Sequence, residues 1–596
     1  MAPANANSPP SGQPGSTGPP SNQNSGLGVS APVAPSFQDE YIEIIRKVQF
    51  SGLPNYQGCQ ITLPTKLNLD EWERLLANYP NRQILDYIRY GWPINYNGEV
   101  DYCADITVTN HRGARDNPAH IEKYLEQEKE EGSILGPFQQ SPFVTPIKIS
   151  PLNTRDKKDS CEKRIIVDLS FPPGRSVNDG IKKDEFMGHS INLQYPSVDN
   201  FAALIRKKGQ YCLMYKRDLK KAYRQIPVDP ADVAKLGYKW GGLYVDLKVA
   251  MGLRSGAFIC QSMTEAISYI HSNMGYDNEV YLDDFVGAEL ADKAWKAFEG
   301  LKQLLLALGV RESELKAWSP AMVMCFLGVW FDTINMTMSI EPDRLRGILV
   351  ELAGWSAKTH ATRKEVESLV GVLSFVSKCV RPSRVFMSRM FDYLQSMPQQ
   401  GHHKLTVEFK RDVFWWQHFM PAYNGVSLIP PTGCESIDSV VVTDACLTGC
   451  GAFNVQTGEF FHTTFPSHIL SQNLGINELE LITIMVALKI WGHQWRGRRF
   501  RVRCDNSVAV SAMNLSRIRN HTMQAVMCEI VFLAAMQEFE VLTSHIEGQK
   551  NEIADALSRW HIAPCHSQLF YKLTAHLSVS QSPVPEGVFS FSGEWV

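Results

Sequence analysis

The sequence predicts an α+β multidomain chain in which two separate α/β units flank a helical stretch. Three observations carry that expectation. The chain has 596 residues, room for about three or four domains at roughly 150 residues each. Strand-like and helix-like patterns alternate over residues 132–340 and again over 438–562, and residues 341–433 between them read as helices. Hydrophobic residues make up 44% and charged residues 20%. Those values are ordinary for a globular protein and exclude a wholly disordered chain, a collagen and a coiled coil.

The formal net charge is −3. That excludes a polycationic, histone-like binder but not a local basic groove for phosphates. No apolar run approaches the ~18 residues of a membrane span, so no membrane partner is expected. The start, MAPANANSPPSG, lacks the basic and apolar segments of a secretory signal. The 13 cysteines are scattered, so reduced thiols and a cytoplasmic or nuclear, non-secreted location are expected. Cys446 and Cys450 lack a second pair at zinc-site spacing.

Residues 1–35 are rich in Pro, Gly, Ser and Asn, and the expectation is a disordered tail, because such a segment buries too little apolar surface. Residues 36–131 read as a helical N-terminal region, as in LDEWERLLANYP and QILDYIRYGWP. There Tyr87, Tyr90, Trp92 and Tyr96 form an aromatic cluster, for which internal packing is favoured over base stacking. In the first α/β unit VTPIKI, KRIIVDL and YCLMYKRDL read as strands, and KKAYRQI and SGAFICQSMTEAISYIHSNM as helices. EVYLDDFVGAEL reads as two short strands around an acidic turn. Thr362 and Glu365 make a capping box before EVESLVGVLSFVSKCV. Pro430, Pro431, Thr432 and Gly433 mark a linker. The second unit runs through strands SVVVTDA, GAFNV and GEFFHTTF, helix LELITIMVALKIWGHQW, strand FRVRCDN, helices, strand EVLTSHI and helix NEIADALSRW. Residues 563–596 read as a weakly structured C-terminal tail.

Asp218 ends one predicted strand, and Asp283 and Asp284 sit in the acidic turn. A strand-end Asp and a hairpin turn can meet on one sheet surface, where three carboxylates repel one another unless cations bind. Two Mg²⁺ ions about 3.5–4 Å apart are the usual solution, with Mn²⁺ as a substitute.

DLKKAY (Asp218 to Tyr223), YLDD (Tyr281 to Asp284) and FLG (Phe326 to Gly328) resemble, in order, the palm motifs of reverse transcriptases. The resemblance implies a right-hand polymerase of fingers, palm and helical thumb or connection, with fingers and palm in residues 132–340. It further implies that Arg164 in RIIVDLS, with Lys148 as a weaker companion, contacts the triphosphate. MGLRSGA is similar to the segment that supports the nascent base pair; Met251 stands where retroviral enzymes often carry Gln, which leaves the Gly252 backbone to serve. Lys316 matches the proposed general acid for pyrophosphate, with a salt-bridged surface lysine as the competing reading. Tyr223 matches the bulky residue that excludes a 2′-hydroxyl.

Asp444, Glu480, Asp505 and Asp555, on two strand ends and two helices, resemble a ribonuclease H site, which implies two further Mg²⁺ ions across the scissile phosphate of an RNA strand. Glu478 competes with Glu480. The two lie about 200° apart on a helix, so one alone can face the metals, and the spacing to Ala487 and Leu488 favours Glu480. His545 matches a histidine that assists product release. Arg496, Arg498, Arg499, Arg501 and Arg503 form a basic run read equally as a phosphate contact or as a solvated loop. Together the motifs imply an RNA-directed DNA polymerase with linked ribonuclease H that copies retroelement RNA and degrades the RNA strand of the hybrid. The implied partners are RNA template, DNA primer, RNA–DNA hybrid and dNTP. NHRGARDNP, GPFQQSPF, IIVDLSFPPGRSVNDGI and the helix pair before Trp415 and Trp416 resemble the DIRS-type, tyrosine-recombinase retroelements, whose recombinase would lie on another chain. The alternatives are a decayed or domesticated copy that binds RNA–DNA hybrids without chemistry, and an RNA-dependent RNA polymerase. Tyr223 and the second acidic set disfavour the latter.

Overall fold

The computed structural model describes residues 36–98, 108–157, 162–191, 195–379, 383, 386–422, 426–428, 440–496, 498–515, 518, 520–537 and 539–592. The expected N-terminal tail and the Pro430–Gly433 linker lie outside the described residues.

The first α/β unit is built on an antiparallel sheet with spatial order Trp318–Ala321, Leu213–Asp218, Asp284–Glu289 and Asn278–Tyr281. Side chains alternate across a strand, and both faces of this sheet are covered. Met214, Val286 and Ala288 enter one hydrophobic core, while Tyr215 and Phe285 enter another. Gly287 permits the second face to close. A Cβ there would come within 2.2 Å of the Tyr215 ring. Helix Gly256–Asn273 presents Ile259, Met263, Ile267 and Ile270, at helical spacing, to the same core as Tyr215. A smaller sheet (Ile134–Phe138, Leu243–Asp246, Gly237–Lys239) and the ribbon Leu152–Asp156 with Lys163–Val167 complete the unit.

A second antiparallel sheet joins Val323–Phe326, Val329–Asp332, Thr337–Ile340 and Val426–Leu428. Its first hairpin turns at Leu327 and Gly328, with φ of 50° and 77°. Positive φ at both positions is what a tight two-residue hairpin requires, so the FLG motif is a turn motif. Helices Pro342–Trp355, Arg363–Val376, Ser388–Ser396 and Val407–Ala422 intervene. The Thr362–Glu365 capping box is formed in both directions.

The second α/β unit carries a mixed sheet in the order Glu540–His545, Arg499–Cys504, Val440–Ala445, Gly449–Asn454, Glu459–Thr464, Ser580–Gln581. The first three strands are parallel, and Gly449–Asn454 runs antiparallel to both neighbours. Trp415 and Trp416 of the preceding helix are buried, and one contiguous core runs from the first sheet through these helices into the second unit.

Three expectations differ from the structure. VTPIKI is not a strand: Ile149 makes a single bridge to Gly237, because Pro146 lacks the N–H a ladder needs. KKAYRQI is a 3₁₀ turn at Ala222–Gln225 instead of an α-helix, preceded by Lys221 at φ 50° and stopped by Pro227. The C-terminal segment is folded. Helix Pro564–Leu573 buries Phe570 against Phe460 and Trp560, with ring centroids 4.5 and 5.7 Å apart. Ser580–Gln581 extends the mixed sheet, and Trp491 Nε1 donates to Ser582 Oγ at 3.0 Å.

Phe570→Ala empties a fully buried ring site. It is expected to cost about 3–5 kcal/mol, measured by chemical denaturation. A loss below about 1 kcal/mol would mean that the C-terminal helix does not hold the unit together.

Candidate functional site

In the first unit the two strands that meet at the acidic turn are in a register that pairs Asp284 directly with Asp218. Asp283 lies in the connecting turn, where Leu282 takes φ 54°. Gln261 clamps this hairpin from the adjacent helix. Its Oε1 accepts from Leu282 N at 2.8 Å and its Nε2 donates to Val280 O at 2.9 Å. Leu219 N donates to Asp283 O at 3.0 Å, tying the loop after Asp218 to the turn.

The aspartates are not bare. Lys316 Nζ donates to both Asp218 oxygens, at 2.9 and 3.0 Å. Lys216 Nζ lies 2.9 Å from Asp284 Oδ1. Lys216 precedes Asp218 by two residues on one strand, so the two share a face. Burial pushes Asp218 up to about 6; Asp284 and Asp283 add to the rise and Lys316 opposes it. Burial also raises Asp283, helped by Asp284.

Tyr223 is partly buried, and a Cβ on Gly256 would lie 3.3 Å from its ring, so the phenol is seated on that helix N-terminus. Burial and the nearby Cys260, Tyr195 and Asp283 raise its pKa. Gly252, at φ 96°, is held by Asn178, whose Nδ2 donates to Gly252 O at 2.9 Å and whose Oδ1 accepts from Arg254 N at 2.8 Å. Arg164 is exposed on its ribbon. Lys148 is only 5% exposed, with its backbone bonded to Ala234 and Gly237. That departs from the open ammonium that a triphosphate contact requires. The aromatic cluster packs internally: Tyr87 and Trp92 are buried, with ring centroids 4.9 Å apart.

In the second unit Asp444 is buried at the middle of the mixed sheet and accepts from Ser558 Oγ at 2.5 Å. Glu480, 2% exposed, accepts from Ala445 N at 3.2 Å and from Cys504 Sγ at 3.5 Å. Glu478 instead accepts from Asn520 Nδ2 at 2.6 Å. Asp505 follows the strand end, and His545 Nε2 lies 3.0 Å from its carbonyl oxygen. Asp555 is paired with Arg559 at 2.8 Å. Its helix is pulled close because a Cβ on Gly451 would come within 2.4 Å of Leu557. Burial lifts Glu480 to about 9, with Asp444 and Asp505 adding to it, and lifts Asp444 to about 7, with Asp505 and Asp555 adding. Arg501 and Arg503 alternate with buried Val502 and Cys504 along strand Arg499–Cys504, so three of the five arginines of the basic run belong to the sheet instead of a loop.

Among the described residues, Glu480, Cys504 and Asp505 offer ligand atoms all within 4.8 Å of one another. The thiol is soft and burial raises its pKa, so the carboxylate oxygens are the donors suited to a hard cation such as Mg²⁺. The first cluster offers three carboxylates, two of them already facing ammonium groups. Both sets fit divalent cations in donor type. Sequence reading missed Lys216, Gln261, Asn178, Ser558 and Cys504. Only Lys216 carried a signal, its period-two spacing from Asp218.

No family model matches the chain. Over 473 residues it is 22% identical to the retrovirus-related Pol polyprotein from transposon 297 of Drosophila melanogaster; the match covers 76% of this chain and 39% of the polyprotein. The foamy viral protease-reverse transcriptase dRH in complex with double-stranded DNA overlaps it with 15% identity and a TM-score of 0.45, covering 82% of each chain. The same viral protein in complex with an RNA/DNA hybrid overlaps it with 15% identity and a TM-score of 0.41, covering 81% of this chain and 63% of that one.

Glu480 yields a signed pH prediction for metal-free protein. Its folded pKa of about 9 lies above the ~4.3 of an unfolded Glu. The protonated form is therefore favoured by folding, and that stability is lost as pH rises through the folded value. In EDTA, Glu480→Gln is expected to match wild type near pH 5 and to exceed its Tm by at least about 3 °C near pH 9. A difference that is flat with pH would show that Glu480 carries no such strain.

Proposed function

We propose that the chain is an RNA-directed DNA polymerase with a linked ribonuclease H, acting on retroelement RNA. The observation that carries this reading is the presence, on one chain and in this order, of two separate carboxylate clusters at sheet ends: Asp218, Asp283 and Asp284 at an antiparallel hairpin, then Asp444, Glu480, Asp505 and Asp555 around a mixed sheet. The similarity to a retrovirus-related Pol polyprotein supports it. The chain spans about two fifths of that polyprotein. In this reading residues 132–340 are fingers and palm, and 341–433 thumb or connection. The DIRS-type assignment rests on NHRGARDNP, GPFQQSPF, IIVDLSFPPGRSVNDGI and the helix pair before Trp415 and Trp416; His111 Nε2 lies 3.0 Å from Asp168 Oδ2, so the first and third of these segments touch.

Divalent cations bound by these carboxylates would activate the attacking hydroxyl or water and neutralise phosphate charge. The chain's own groups do the remaining work. Arg164, open on the ribbon, offers a fork for the triphosphate. Lys316, 2.9 Å from Asp218, holds a proton beside the position where pyrophosphate would leave. Gln261 and Asn178 hold the acidic hairpin and the Gly252 loop still, so that primer end and nucleotide meet in fixed geometry. The Tyr223 ring forms a wall against a 2′-hydroxyl. In the second cluster Ser558 and the Ala445 N–H orient Asp444 and Glu480 across a hybrid, and His545 lies beside the product side of Asp505.

The two activities are expected to separate. Asp283→Asn should abolish dNTP extension on a primed RNA template and keep hybrid cleavage, and Asp505→Asn should do the reverse. Loss of both activities from either change in a folded protein would sink the two-site reading.

Sugar choice tests the seating of Tyr223. A clash of ~1–3 kcal/mol corresponds to roughly 5- to 150-fold in rate. Tyr223→Ala is expected to lower the ratio of kcat/KM for dCTP over CTP by that factor, and Tyr223→Phe to preserve it. An unchanged ratio in Tyr223→Ala would place the gate elsewhere.

A further inference from the structure

Away from both carboxylate clusters, a cavity of about 240 Å³ gathers an excess of cations. It is bounded by Lys66, Glu131, Arg224, Lys248 and Arg311, contributed by segments far apart in sequence. Four side-chain cations thus meet one carboxylate. Arg224 is committed to Glu128 and Asp246, at 2.9 and 2.8 Å. Arg311 shares Glu131 with Lys221, at 3.2 and 2.8 Å. The ammonium groups of Lys66 and Lys248 have neither an ion pair nor a hydrogen bond among the described residues.

Lys248 is the informative one. Its segment is pinned on both sides, by Leu247 N to Ser133 O at 2.9 Å and Val249 N to Ile226 O at 3.0 Å. The side chain is half-buried and lines the cavity. Burial, followed by Arg224, Arg311 and Lys66, depresses its pKa to about 8. An ammonium shielded from water, without an ion pair and crowded by other cations, is unfavourable unless a counter-charge reaches it. No carboxylate of the described chain does so, while solvent reaches the cavity past the exposed Lys66.

We propose that this cavity is a binding site for a small free polyvalent oxyanion of the phosphate class, held by Lys248, Lys66 and Arg311, all of which line it. The volume lies below the ~300–1,000 Å³ of pockets that enclose drug-sized ligands, which favours a phosphate or diphosphate over a nucleoside. Lysine and arginine donors to phosphate oxygens are charge-assisted and short. The site is independent of the polymerase and ribonuclease H reading, because none of its lining residues belongs to either carboxylate cluster.

The test is a titration of the full chain with inorganic phosphate in EDTA, which removes metal-dependent phosphate binding, followed by calorimetry and thermal shift. Wild type is expected to bind one phosphate with a rise in Tm. Lys248→Met should weaken binding about 10- to 100-fold. Without phosphate, Lys248→Met should also melt above wild type, because a half-buried charge with no ion pair has been replaced by an apolar side chain of similar volume. Lys66→Ala, an exposed change that leaves the core intact, should weaken binding up to about 5-fold and keeps the test alive if Lys248→Met fails to fold. Wild type that binds no phosphate at millimolar concentration, or equal affinity in wild type and both variants, overturns the proposal. Displacement of phosphate by a saturating RNA–DNA duplex also overturns it, by reassigning the site to a nucleic-acid phosphate.

Discussion

Carboxylates crowded at the end of a sheet repel one another and lose hydration, and both α/β units are organised around that constraint. In the first, the antiparallel register sets Asp284 opposite Asp218 with Asp283 in the turn beside them. Two lysines answer the charge: Lys216 from the same strand and Lys316 from the loop before Trp318–Ala321. In the second the cluster lies deeper. There the compensation comes from Ser558, the Ala445 N–H and the Asp555–Arg559 pair. Glu480 is left with a pKa near 9, a level at which a proton or a metal cation is the natural partner.

This difference in depth orders the two sites by their need for a cation. An ammonium at 2.9 Å satisfies a carboxylate in the first cluster without closing it, since Lys316 is largely exposed and can swing away. Among the described residues no ammonium is paired with Glu480. Its neighbours Asp444 and Asp505 carry the same charge, and Cys504 is a weak donor. The second cluster therefore holds the more strained carboxylate.

Rigidity around the clusters comes from packing that crosses conventional boundaries. The core that begins at Met214 and Val286 continues through Trp415 and Trp416 into Val441 and Ile484, so the helical stretch joins the two units through apolar contact. Glycines set the closest approaches. Gly287 admits the Tyr215 ring and Gly451 admits helix Glu552–Ser558. In each case the missing Cβ lets a chemistry-bearing element sit where the carboxylates need it.

Much of this was legible along the chain. Alternation in YCLMYKRDL and EVYLDDFVGAEL marked the strands, capping at Thr362 marked a helix start, and the order of acidic residues marked both clusters. These signals are local, with periods of 2 and 3.6 residues. Where local chemistry misled, the backbone explains it: Pro146 removed a donor from VTPIKI, and Lys221 in a left-handed conformation stopped KKAYRQI from forming an α-helix. The C-terminal segment read as weakly structured, yet Phe570 meets Phe453 and Phe460 only after the sheet has formed. The lysine on Asp218 lies 98 residues away, and the Gln261 clamp 21 residues from its partner Leu282. The sequence by itself determined which residues carry charge and in what order they occur. Tertiary structure alone decided which of those charges meet, because convergence depends on strand register and close packing between distant segments, and neither leaves a periodic trace in the chain.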